Sequence, residues 1–169
     1  MNFEPLIKTL ETEVEIYKSF KEIEEGKTAV ITEGDVEKLD NILNTEQMLH
    51  MKLQGVEKKR IEAMNALGLG GKTLAGVIEL ADGRAKEKLS GILDSLSFYT
   101  DALRHINDYN TKLVKARLNI ISSVSKLFKE PQKNGKPDAK PAGEKIYGKN
   151  AKVLDQPDEF GAPVINKKI

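Results

Sequence analysis

Proline is confined to the two ends of this chain. Of six prolines in 169 residues, Pro5 stands near the start and the other five all follow residue 130. A proline inside a helix removes a backbone donor and collides with the preceding turn, so long helices exclude it. The stretch between Pro5 and Pro131 is free to run as long helices, and its apolar residues recur at spacings of three and four. An all-α body over residues 1–129 is expected, followed by a Pro-, Gly- and Lys-containing tail over residues 130–169.

Composition narrows the function. Charged residues make up 31% and apolar residues 39%, which is lean for an enzyme core and usual for helices with wide solvated faces. No apolar run reaches the roughly 18–20 residues that cross a bilayer. Met1-Asn2-Phe3-Glu4-Pro5 lacks the basic and apolar regions of a signal peptide. With no cysteine, neither a disulfide framework nor a thiolate metal site can form. A cytoplasmic chain without membrane insertion is expected. Net charge is +1, with eight Lys against five acids from Pro131 onward and a slightly acidic body. Neither balance resembles that of a nucleic-acid binder, so no nucleic-acid partner is expected.

The helices can be placed from spacing and caps. The first is expected over about 3–33, with Phe3, Leu6, Ile7, Leu10, Val14, Tyr17 and Phe20 on one face. Pro5 falls in its first turn, where a missing N–H costs nothing. Gly34 suits the left-handed residue that ends a helix, and Asp35 suits the N-cap of the next. So short a turn packs the two helices antiparallel. The second, about 35–67, carries Leu39, Ile42, Glu46, Leu49, Leu53, Val56, Arg60, Ala63 and Leu67 in the alternation of a coiled-coil seam. Glu46 and Arg60 interrupt that seam and are expected to snorkel at its edge. Gly68-Leu69-Gly70-Gly71 breaks the helix. A short helix over about 73–81 follows, with Thr73 as its candidate N-cap.

A third long helix is expected over about 84–129, roughly 65–70 Å at 1.5 Å per residue. Its seam is Leu89, Ile92, Leu96, Tyr99, Leu103, Ile106, Asn110, Leu113, Arg117, Ile120, Val124 and Leu127, polar only at Asn110 and Arg117. The fold expected is an elongated antiparallel hairpin plus this third helix, a coiled-coil-like bundle with an irregular C-terminal tail. Near the end of the third helix, Ile120, Ile121, Val124, Leu127 and Phe128 make a stripe wider than one seam needs. Another subunit, the tail or a partner helix must cover it. With Leu113, these residues are the candidate anchors for a partner.

The tail divides. Lys129 to Gly143 is low in apolar residues and expected to be disordered. Beyond it stand Ile146, Tyr147, Val153, Leu154, Phe160, Val164, Ile165 and Ile169, more apolar residues than a spacer needs. Ile146, Tyr147 and Gly148, within a linear segment over 146–152, are a candidate docking element. Folding back of Tyr147 onto the apolar stripe is the alternative, and both stay open.

Ala66-Leu-Gly-Leu-Gly-Gly-Lys72-Thr73 fits a permissive phosphate-loop pattern. Such a loop follows a buried strand, whereas Ala66 and Leu67 end a helix, so a glycine connection between helices is expected. His50 and His105, the only histidines, lie beside seams and outside any cluster with metal-ligand spacing. No catalytic residue, metal site or cofactor is expected, and the chain is not expected to be an enzyme.

Several elements together resemble the FlgN family of flagellar type III export chaperones. The Gly34-Asp35 turn before a Leu-rich helix with Glu46 and Arg60 in its seam is similar to the family's central hairpin. Leu67-Gly68 followed by Thr73-Leu74 resembles its next connection. Asn107-Asp-Tyr-Asn110-Thr-Lys-Leu113 resembles its Asn-x-x-Asn-x-x-Leu stretch. Ile146-Tyr147-Gly148-Lys149-Asn150-Ala151-Lys152 resembles its Tyr-Gly-x-x-Gly tail motif, with Ala151 in place of the second glycine.

The resemblance implies a cytoplasmic chaperone for hook-associated (hook–filament junction) proteins. It would bind their amphipathic terminal helices, prevent premature assembly and deliver them to the export apparatus. It also implies that the docking element meets the cytoplasmic domain of the export gate. The alternative is a structural coiled-coil protein without a client, which homo-oligomerises through its third helix, for instance as a homodimer.

Overall fold

The computed structural model describes residues 1–129. The expected fold class holds: helices α1 (Glu4–Glu33), α2 (Val36–Ala66), α3 (Leu74–Leu80) and α4 (Gly83–Lys129) form an all-α helical bundle, with no strand among the described residues.

Local chemistry sets the boundaries. Pro5 lies in the first turn of α1, and Asn2 Oδ1 accepts from Glu4 N at 3.1 Å. Gly34 closes α1 at φ 80°, a conformation that a Cβ would strain, and its N–H returns to Val30 O. Asp35 then caps α2 by accepting from Lys38 N at 3.0 Å. Thr73 caps α3 through Gly76 N at 3.2 Å, so the threonine of the phosphate-loop lookalike serves a helix end. Within that connection, a Cβ on Gly70 would run into Asn65 Oδ1.

Residues 1–116 make one compact unit, and the described residues 117–129 fall in another. The first has one continuous core. Phe3, Leu6, Ile7, Leu10, Ile16, Tyr17 and Phe20 meet Leu49, Val56 and Met64 of α2. Leu74 and Val77 of α3 and Leu89, Ile92, Leu96 and Leu103 of α4 complete it. Burying each such large apolar side chain contributes about 1.5–3 kcal/mol. α2 contributes least, with only Leu49, Val56 and Met64 fully buried. Among residues 117–129 the helix continues, but its seam positions Ile120, Val124 and Leu127 are exposed.

Candidate functional site

Two sets of polar residues lie inside the first unit, and an apolar surface lies in the second. Asn110 is a buried seam residue of α4. Its Nδ2 donates to Glu24 O and to Glu24 Oε2, both at 3.0 Å, and its Oδ1 accepts from Thr28 Oγ1 at 2.7 Å. Asn107, one turn earlier, faces the same carboxylate. In the amide orientation that satisfies both its atoms, Nδ2 donates to Glu24 Oε1 at 3.1 Å and Oε2 at 2.9 Å. The Asn-x-x-Asn spacing therefore puts two amides on one helix face, where they clamp a single glutamate of α1.

Lys27 ties the same carboxylate to α2. Its Nζ lies 3.2 Å from Glu24 Oε1 and 2.6 Å from Glu46 Oε1. Glu46 does not snorkel, as its seam position suggested. Its side chain is only 14% exposed, because Lys27 supplies a partner inside the seam. Burial pushes the Glu46 carboxyl up to about 7; Lys27 pulls against this and Glu24 adds to it.

Arg60 departs from the snorkelling expectation for the same reason. Its side chain is 13% exposed and donates from Nε and Nη2 to the two Glu57 oxygens, each at 2.7 Å. Across from it on α1, Glu13 is buried, and its Oε2 has no hydrogen-bond partner. Burial pushes that carboxyl up to about 7, with Arg60 opposing and Glu57 reinforcing. Burial, with Glu13 and Glu57, likewise pushes the Tyr17 hydroxyl up to about 12. His50 packs at the edge, its ring 4.8 Å from that of Phe20. Among the described residues, no group of three or more His, Cys, Asp or Glu is placed to hold a metal ion.

These polar partners went unrecognised in the sequence, although a signal was present. Glu13 stands three residues after Leu10, and Glu24 four after Phe20, so both occupy the apolar register of α1.

The anchors expected for a partner separate into two groups. Leu113 is half-buried in the first unit. Ile120, Ile121, Val124, Leu127 and Phe128 are all exposed, Phe128 at 85%, and Leu118 joins them. Ile146, Tyr147 and Gly148, like the whole expected tail, lie outside the described residues. The stripe that Leu118, Ile120, Ile121, Val124, Leu127 and Phe128 present consists of branched aliphatics and one phenyl ring on a regular helix. It can bury an amphipathic segment.

A family model described as FlgN protein matches residues 1–153. The chain is 28% identical over 124 residues to "Uncharacterized protein YvyG" of Bacillus subtilis (strain 168), covering 72% of this chain and 78% of that protein. No solved structure matches.

Proposed function

This chain belongs to the FlgN family of flagellar export chaperones, and from that premise we propose that it captures the amphipathic terminal helices of hook-associated proteins on the exposed stripe of α4. The observation that carries the reading is that Ile120, Ile121, Val124, Leu127 and Phe128 stand in water on a continuous helix. Monomeric proteins seldom leave so contiguous an apolar surface without a partner. An unassembled hook-associated protein has the complementary problem, a terminal helix whose apolar face has no neighbour. Laying that helix along α4 removes both surfaces from water, and premature polymerisation is blocked while it stays there.

In this reading the chaperone works in the cytoplasm and delivers its client to the export apparatus. Ile146, Tyr147 and Gly148 act as a separate docking element for the cytoplasmic domain of the export gate. A tyrosine suits such a role, because its ring buries area while its hydroxyl keeps a hydrogen bond.

Calorimetric titration of a hook-associated protein's terminal helix tests the stripe. Ile121→Asp and Phe128→Asp should each weaken binding by more than about tenfold, given about 1.5–3 kcal/mol per buried side chain. Unchanged affinity in both variants would remove the stripe from the binding site. Pull-down of the gate domain with Tyr147→Ala tests the tail: gate binding should fall while client affinity holds. A rise in client affinity with gate binding intact would instead make the tail a mask over the stripe.

A further inference from the structure

We propose that residues 117–129 of α4 form a membrane-surface helix, which lies in the interface of a bilayer rich in anionic lipid whenever no protein partner covers its apolar stripe. Two features support this, one of shape and one of charge.

The shape is that of a half-cylinder. At 100° per residue, Leu118, Ile120, Ile121, Val124, Leu127 and Phe128 span about half the helix circumference, and all six are exposed. The seam against a single partner helix is narrower than this. The boundary between headgroups and acyl chains accepts a half-buried cylinder. No described helix is long and apolar enough to cross a membrane, so this one would lie along the surface. The expectation of no membrane insertion was read from the lack of a spanning run, and it does not bear on this mode.

The charge pattern distinguishes lipid from a partner helix. From Tyr109 to Lys129 the sequence holds Lys112, Lys115, Arg117, Lys126 and Lys129 and no acidic residue, although the whole chain has 26 Asp and Glu against 27 Lys and Arg. Asn119, Ser122, Ser123 and Lys126 lie on the half of the helix opposite the stripe, while Arg117 and Ser125 fall within the stripe's own arc, Arg117 near the start of the segment. A protein helix lying on the stripe would not touch that half. An anionic surface attracts basic residues near it through its field, whether or not they make contact. The acid-free run ends at Lys129: Glu130 follows directly, and Lys133, Lys136 and Lys140 are accompanied by Asp138. Apolar insertion with a basic flank is the two-signal arrangement that gives stable surface binding.

This inference goes beyond the client reading and does not need it, although the two occupants use the same side chains and exclude one another. The test is flotation of the full chain with vesicles of about equal phosphatidylglycerol and phosphatidylcholine, against phosphatidylcholine alone. The chain has no Trp, so Phe128→Trp adds a single reporter whose emission shifts to the blue on entering the interface. Flotation and blue shift are expected with the anionic vesicles at about 0.1 M salt, with most of the binding lost by about 0.5 M. Ile121→Asp should abolish binding, and Lys126→Glu should weaken it about tenfold. The proposal is overturned by no flotation with anionic vesicles, by equal flotation with phosphatidylcholine, or by flotation that survives Ile121→Asp. It is also overturned by a blue shift without vesicles that grows with protein concentration, which would mean that the stripe pairs with a second copy.

Discussion

Asn110 gives up an apolar seam position and makes three hydrogen bonds to α1 in exchange. The value of that arrangement depends on Glu24, a buried carboxylate that would lose one of its donors with Asn110 and keep Asn107 and Lys27. Asn110→Leu alone should therefore destabilise the chain by about 1–3 kcal/mol in urea unfolding. Glu24→Leu with Asn110→Leu should recover much of the loss, and the cycle should show a coupling above about 1 kcal/mol. Strict additivity would mean that the clamp is incidental. Glu13 and Glu46 give the fold a pH dependence of a less common sign. Both carboxyls are raised from 4.5 to about 7 in the folded chain, so folding takes up protons. Their stabilising effect is complete below about pH 4.5 and is lost as pH rises through about 7. Asp35 is lowered by its bonds to Lys38 and acts oppositely, but only as pH falls below its ordinary value of 3.8. Thermal melts should therefore show a higher Tm at pH 5.5 than at pH 8. Glu13→Gln should flatten that profile and stabilise the chain at pH 8 by about 1–3 kcal/mol. A Tm that rises toward pH 8 in the wild type would contradict the assignment.

At the scale of elements, the helices were legible in the sequence because their signals are local. A 3-4 alternation fixes which face is buried, and Gly34-Asp35 announces both a stop and a start. Gly34→Ala should cost about 1 kcal/mol by forcing a side chain into a left-handed residue, and Gly34→Asn should cost less. Equal stability of the two would show that the turn relaxes to another form. What stayed hidden was which polar residues meet across helices. That Lys27 joins Glu24 to Glu46 depends on the relative heights of α1 and α2, which periodicity does not encode. For the same reason Glu46 and Arg60 looked like edge residues until Lys27 and Glu57 were seen beside them. On the candidate surface, the excess of apolar residues could be read directly. The half-burial of Leu113 could not, because it depends on what the first unit packs around it.

For the molecule as a whole, the core and the proposed binding stripe are built from different residues. Leu96 is 1% exposed, and Leu96→Ala should cost about 2–5 kcal/mol. Phe128→Asp should change unfolding free energy by less than about 0.5 kcal/mol, since that ring is already in water. A large loss from Phe128→Asp would mean that the stripe is structural. The exposed stripe also governs how the free chain behaves as a colloid. A net charge of +1 offers almost no mutual repulsion to keep such surfaces apart. Static light scattering should return a negative osmotic second virial coefficient for the wild type and a value closer to zero or positive for Phe128→Asp. A cell that makes this protein would then do better to keep it scarce and occupied than to hold it in reserve.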